Sequence, residues 1–173
     1  MMKDSRESYG TLSKSLHWVM AVLIGWQFLK FSDRIADGEH WVGETLVPWH
    51  VSIGTLLLAL VVLRMVWAFS QRGQRPVHDY PQELPVKIGH GLLYASMLLL
   101  PITGILILLG GGYGLTVFGV EVIARGEKIA WASAIGGIHS TLAWVLAVLV
   151  IGHVVMALFH HHVKADGTLS RMV

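Results

Sequence analysis

Two histidines, His139 and His153, stand fourteen residues apart in the longest apolar stretch of the chain. Two more, His17 and His50, open earlier hydrophobic segments. A helix turns about 100° per residue, so fourteen residues return to within about 40° of the same face, about 21 Å further along. One helix therefore offers two imidazoles from a single stripe, one toward each side of a bilayer. Neutral imidazole is a ligand for haem iron, and two ligands on facing helices leave that iron six-coordinate, with no position open to oxygen. Two stacked haems with two histidines each would make an electron relay.

The elements that must position these residues follow from composition. The chain has 173 residues, 54% of them hydrophobic and 14% charged. So little charge in so short a chain marks an integral membrane protein. Crossing the hydrocarbon core takes about 20 apolar residues. Four segments are expected to do so, over about Leu16–Phe31, Val47–Phe69, Ile88–Leu109 and Ala132–Phe159, in one all-α, four-helix domain spanning residues 1–173. The opening MMKDSRESYGTLSKS is polar for too long to be an ordinary signal-peptide start, so the first segment is expected to be retained. There is no cysteine, which excludes disulfides, thiolate-bound iron–sulfur clusters and covalent haem attachment. The net charge of +2 gives no reason to expect nucleic acid as a partner.

Charge in the connections sets the orientation. Lys3, Arg6 and Lys14 precede the first span; Arg64, Arg72, Arg75 and Lys87 surround the second connection; Lys164 and Arg171 follow the last span. The first connection carries Asp33, Asp37, Glu39 and Glu44 against Arg34, and the third only Arg125 and Lys128 among its basic residues. The positive-inside rule then places both termini in the cytoplasm. With that orientation His17 and His153 lie toward the inner side, and His50 and His139 toward the outer side. Depth alone pairs His17 with His153 and His50 with His139. A single zinc or copper centre would need its ligands at one point, and these fall at two depths.

Other residues take places around this frame. Ala21, Gly54, Ala143 and Ala157 each follow one of the four histidines by four, on the same helix face, where a flat macrocycle needs short side chains. Small residues also favour close helix packing in any membrane bundle. Arg64, fourteen residues after His50, is a candidate partner for a propionate of the inner haem or a snorkelling arginine. Pro101 should kink the third span and Pro85 should lie just outside it. The run Leu115–Ala124 is too short to cross, and reads as a strand-like or surface-lying element at the membrane interface. Trp18, Trp41, Trp49 and Trp131 fall near span ends, as interfacial anchors do. Lys30, Arg34, Arg125 and Lys128 surround the outer mouth, where a cationic funnel would focus an anion such as superoxide. Acidic neighbours, Glu121 and Glu127 among them, dilute it. His40 and His78 are assigned no role.

Several motifs together resemble the bacterial cytochrome b561 family. They are S-x-x-L-H-W at Ser13–Trp18, W-H-V-S-I-G at Trp49–Gly54, I-G-H at Ile88–His90, I-H-S-T-L-A at Ile138–Ala143, G-H-V-V-M-A-L-F-H-H at Gly152–His161 and K-A-D-G-T-L-S-R-M at Lys164–Met172. The resemblance implies a four-helix protein with two haem b groups that exchanges electrons with quinone. One type in that family oxidises superoxide at the periplasmic face and reduces ubiquinone. Carried over, its haem ligands match His17, His50, His139 and His153, and His90 and His160 match positions tied to the quinone or redox-partner site. His160 follows His153 by seven, on nearly the same stripe and about 10 Å nearer the cytoplasm. His161 and His162 are read as interfacial.

Three functions fit these residues. The first is superoxide-to-quinone electron transfer. The second is a membrane cytochrome subunit fed by a partner dehydrogenase or hydrogenase, which should expose an apolar patch in the connection Gly110–Trp131. The third is a haem-free helical scaffold or transporter.

Overall fold

The computed structural model describes residues 1–32, 40–76 and 83–173. Most of the acidic first connection, with Arg34, and His78 of the second lie outside the described residues. Four long helices dominate: α1 (Thr11–Phe28), α3 (His50–Ser70), α4 (Glu83–Gly110) and α6 (His139–Phe159). A short α2 (Trp41–Thr45) and a 3₁₀ turn (Val47–Trp49) lead into α3, and a short α5 (Ala130–Gly136) leads into α6. Strands β1 (Leu115–Val117) and β2 (Val120–Ile123) form an antiparallel hairpin between α4 and α5.

The joined runs Trp41–Ser70, Leu84–Gly110 and Ala130–Lys164 are long and apolar enough to cross a membrane. Helix α1 is not among them, a departure from the four spans expected. Its 18 residues include Ser13, Lys14, Ser15, His17 and Gln27, which dilute the apolar stretch Val19–Ile24. The surface is correspondingly inverted. Val62, Val66, Val148, Ile151 and Val155 all face outward, as side chains do where the surrounding solvent is hydrocarbon.

The expected fourth span, 132–159, is interrupted. Gly136 and Gly137 end α5, and α6 starts afresh at His139. Gly136 lies against Ile107 so closely that a Cβ would stand 2.8 Å from its side chain. Gly110 meets the Ser133 backbone just as tightly, so two glycines let α5 press onto the end of α4. Pro85 lies inside α4 instead of beyond it, in the first turn, where a backbone N–H has no helical partner to lose. The helix also continues through Pro101.

Along the bundle α1 packs on α3, α3 on α4, and α4 on α6. The backbone of α6 scarcely approaches α1 or α3. Side chains bridge that gap: Leu146 joins Met20, Ile24, Ile53, Leu57 and Val61 in the buried core. At the other end the two termini meet. Lys14 Nζ donates to the Val173 carbonyl (2.5 Å), Trp18 Nε1 to that of Met172 (3.0 Å), and Tyr9 N to that of Arg171 (3.3 Å). Buried Asp4 takes bonds from Gly10 N (2.8 Å) and Ser13 Oγ (2.6 Å) and faces Arg75 at 3.4 Å, which fixes the start of α1. Tyr9, half-buried beside this group, has its phenol pushed above the usual value by burial.

Candidate haem-binding histidine pairs

His50 and His139 are each the first residue of a long helix, and their rings stand 6.1 Å apart. His17, in α1, and His153, in α6, face one another at 6.2 Å. The pairing expected from depth is the pairing found in space. Each pair is close enough that its two imidazoles could hold one haem iron between them.

The outer pair opens on a cavity of about 620 Å³, within the range of a cofactor site. Gly54 and Ala143, both expected as clearances, line it, together with Gly104 of α4. A Cβ on Gly104 would come within 3.2 Å of His139 Cε1. The signal for Gly104 is lateral, from a neighbouring helix, and invisible to spacing along α6. Ala21 and Ala157, by contrast, do not line this cavity; Ala21 is exposed. His139 Nδ1–H donates to the Leu100 carbonyl (2.9 Å), and Thr103 Oγ1 lies 3.1 Å from the same nitrogen. The Thr103 hydroxyl donates to the Leu99 or Leu100 carbonyl, so its oxygen can only receive from His139. The ring is thereby fixed as the Nδ1–H tautomer, with the Nε2 lone pair presented for coordination. Gln27 Nε2 donates to the His50 carbonyl (2.9 Å), tying α1 to the same level. Lys30 also lines the cavity. These residues fit a haem.

The inner pair is arranged differently. Arg64 Nη2 donates to His17 Nδ1 at 3.0 Å, and its guanidinium faces the Tyr94 ring at 5.6 Å. Arg64 is therefore at the inner site, as its spacing implied, with an imidazole as its present partner. That bond puts the His17 proton on Nε2, so ligation through Nε2 requires Arg64 to let go. His90 lies 5.6 Å from His153, ring centre to ring centre, and its Nδ1–H donates to the Val86 carbonyl (2.9 Å). Spacing along one helix gave no hint of this third imidazole beside the pair.

His160 is buried in a π-helical turn, His160–Lys164, at the end of α6. Its Nδ1 lies 2.5 Å from Asp166 Oδ2, while Asp166 Oδ1 accepts from Thr168 N (3.0 Å) and Thr168 Oγ1 (2.6 Å). Burial works against the Asp166 anion, but the Thr168 bonds and His160 outweigh it and hold the carboxyl well below the usual range. His161 and His162 are exposed and meet edge to face, with ring centres 4.7 Å apart. His40, assigned no role, caps α2 by accepting from Gly43 N (3.0 Å). Among the described residues no three His, Asp or Glu side chains converge as a metal site.

Residues 8–173 match the family model for prokaryotic cytochrome b561. The chain belongs to this family. Cytochrome b561 homolog 2 of Escherichia coli K12 is 33% identical over 98% of this chain and 93% of its own length. The protein named "Probable superoxide oxidase CybB" in Yersinia pestis is 28% identical over 95% or more of both chains (96% of each). Cytochrome b562 of Cereibacter sphaeroides is also 28% identical, over 95% of this chain and 94% of its own. Like other members of the cytochrome b561 family, the chain is a bacterial membrane protein of electron transfer, and the family implies haem b.

Proposed function

We propose that the chain holds two b haems, one between His50 and His139 and one between His17 and His153, and passes single electrons between the outer face of the inner membrane and quinone. One observation carries the reading: two imidazole pairs, 6.1 and 6.2 Å apart, at opposite ends of one apolar bundle. The whole chain acts as one domain, α1 crosses with the other three helices, and both termini are cytoplasmic. Haem iron supplies the one-electron chemistry. The protein supplies position and environment. Leu100 and Thr103 orient His139, Gly54 and Gly104 clear the space beside it, and Arg64 exchanges His17 for a propionate carboxylate, which its guanidinium can grip at two points.

The substrate reading is superoxide outside and ubiquinone inside. Two superoxide ions each lose one electron and leave as oxygen; one quinone takes two electrons and two protons to become quinol. Lys30 at the outer cavity attracts the anion. His90 and His160, on the inner side, are placed to bond quinone oxygens and carry the protons. The name of the Yersinia relative supports this substrate. Pyridine haemochrome assay of the purified chain should give two haems per polypeptide; zero or one removes the two-site reading. Stopped-flow mixing with superoxide should reduce haem at near-diffusion rates. Inert haems would select the second reading, a cytochrome subunit fed by a docked partner. That alternative draws on the exposed apolar side chains of the α4–α5 connection.

A further inference from the structure

The β1–β2 hairpin has a tip that local preference does not explain. Its two central residues, Phe118 and Gly119, both have positive φ, 48° and 83°. This is the pattern of a type I′ turn, where Asn or Gly is favoured and a bulky side chain is strained. Phe118 is nonetheless 52% exposed, and Val120 and Val122 beside it are 65% and 59% exposed. Water gives no reason to keep this apolar group at a strained tip.

Position supplies one. Phe118 N donates to Ser52 Oγ at 2.9 Å, and the Phe118 ring lies 6.2 Å from that of Trp49. Ser52 is the third residue of α3, so the tip reaches past the helix end, to the level of the outer histidines. The face that buries Leu115 against the helices also carries Val117, and pairing places Val120 opposite Val117. Thr116 and Glu121 pair on the other face. The apolar face thus leans toward the bundle and runs on past its edge. One turn beyond Ser52 on α3, Leu56 is exposed as well.

We infer that this hairpin is a membrane-interface anchor: Phe118 and Val120 enter the headgroup–acyl boundary of the outer leaflet, and Thr116 and Glu121 face water. The boundary is the right depth, because β2 has an unpaired edge that hydrocarbon would not tolerate but hydrated headgroups satisfy. The inference does not depend on which electron donor the protein uses.

The chain has no cysteine, so single sites can be labelled without background. Nitroxide labels at Val120→Cys, Phe118→Cys and the loop reference Glu127→Cys are to be compared in the full chain, in nanodiscs of phosphatidylethanolamine and phosphatidylglycerol. Power-saturation EPR then measures collisions with oxygen, which enters lipid, and with a nickel chelate, which stays in water. Labels at 118 and 120 should favour oxygen over nickel several-fold relative to 127. Equal nickel access at all three sites would overturn the anchor and leave the patch to a protein donor. Protection of 118 and 120 from both reagents would overturn it in favour of a protein contact already in place. Val120 is exposed, so its variant tests the proposal even if Phe118→Cys perturbs the turn.

Discussion

At the residue scale, the decisive geometry is that His139 has an assigned proton, whereas Arg64 holds His17 and His90 stands beside His153. His139→Ala should halve the haem content and spare the inner centre, measured by haemochrome assay with redox titration of what remains. Gly104→Leu should do the same by steric means, since even a Cβ there would lie 3.2 Å from the His139 ring. A loss of both haems in both variants, with the helices still folded, would contradict the two-pair assignment. That His17 stands near His153 and His50 near His139 was legible in sequence, because helical spacing sets how far along each helix a residue lies. Arg64 on His17 was not, because its partner depends on which of two acceptors lies within reach. Asp166 gives a pH prediction. Its folded pKa is depressed, so the stability it lends is complete above the ordinary carboxyl value of 3.8 and is lost as pH falls through the lower folded value. Amide exchange at Thr168 should quicken several-fold in Asp166→Asn at pH 7, and the gap between variant and wild type should narrow only below that ordinary value.

At the element scale, apolar run length located the three strongest spans well and misjudged their ends. Pro85 was read as a boundary because proline breaks helix interiors, yet a first-turn position costs nothing. The break between α5 and α6 was missed because Gly136 and Gly137 sit in a run whose hydropathy never falls. Only the contact of Gly136 with Ile107 of α4 shows why it is a glycine. Gly110→Val, which forces a side chain into the Ser133 backbone, should weaken that seam by about 1–3 kcal/mol, seen as a lower melting temperature of the detergent-solubilised protein. The hairpin was half legible. An apolar run too short to cross marked a strand-like or surface-lying piece at Leu115–Ala124, but pairing register and the strained Phe118 depend on docking against Ser52.

At the scale of the whole molecule, orientation is open to direct test. Fused after Val173, green fluorescent protein should glow and alkaline phosphatase should stay inactive; the reverse would invert the proposed arrangement and with it which pair meets the donor. A helical membrane protein followed from composition, whereas the weak apolarity of α1 shows that composition alone does not set the number of spans. Three features hold α1 in place: Asp4 at its start, the chain's final residues alongside, and α3 down its length. The opposite flank is where α6 keeps its backbone away from α1 and α3. If the two-haem reading holds, then in a cell short of iron only side chains such as Leu146 would bridge that flank, and α6 would be fastened chiefly through α4. Newly made copies would then present a loosely docked helix to membrane quality-control proteases, so their abundance should track haem supply even at constant messenger level.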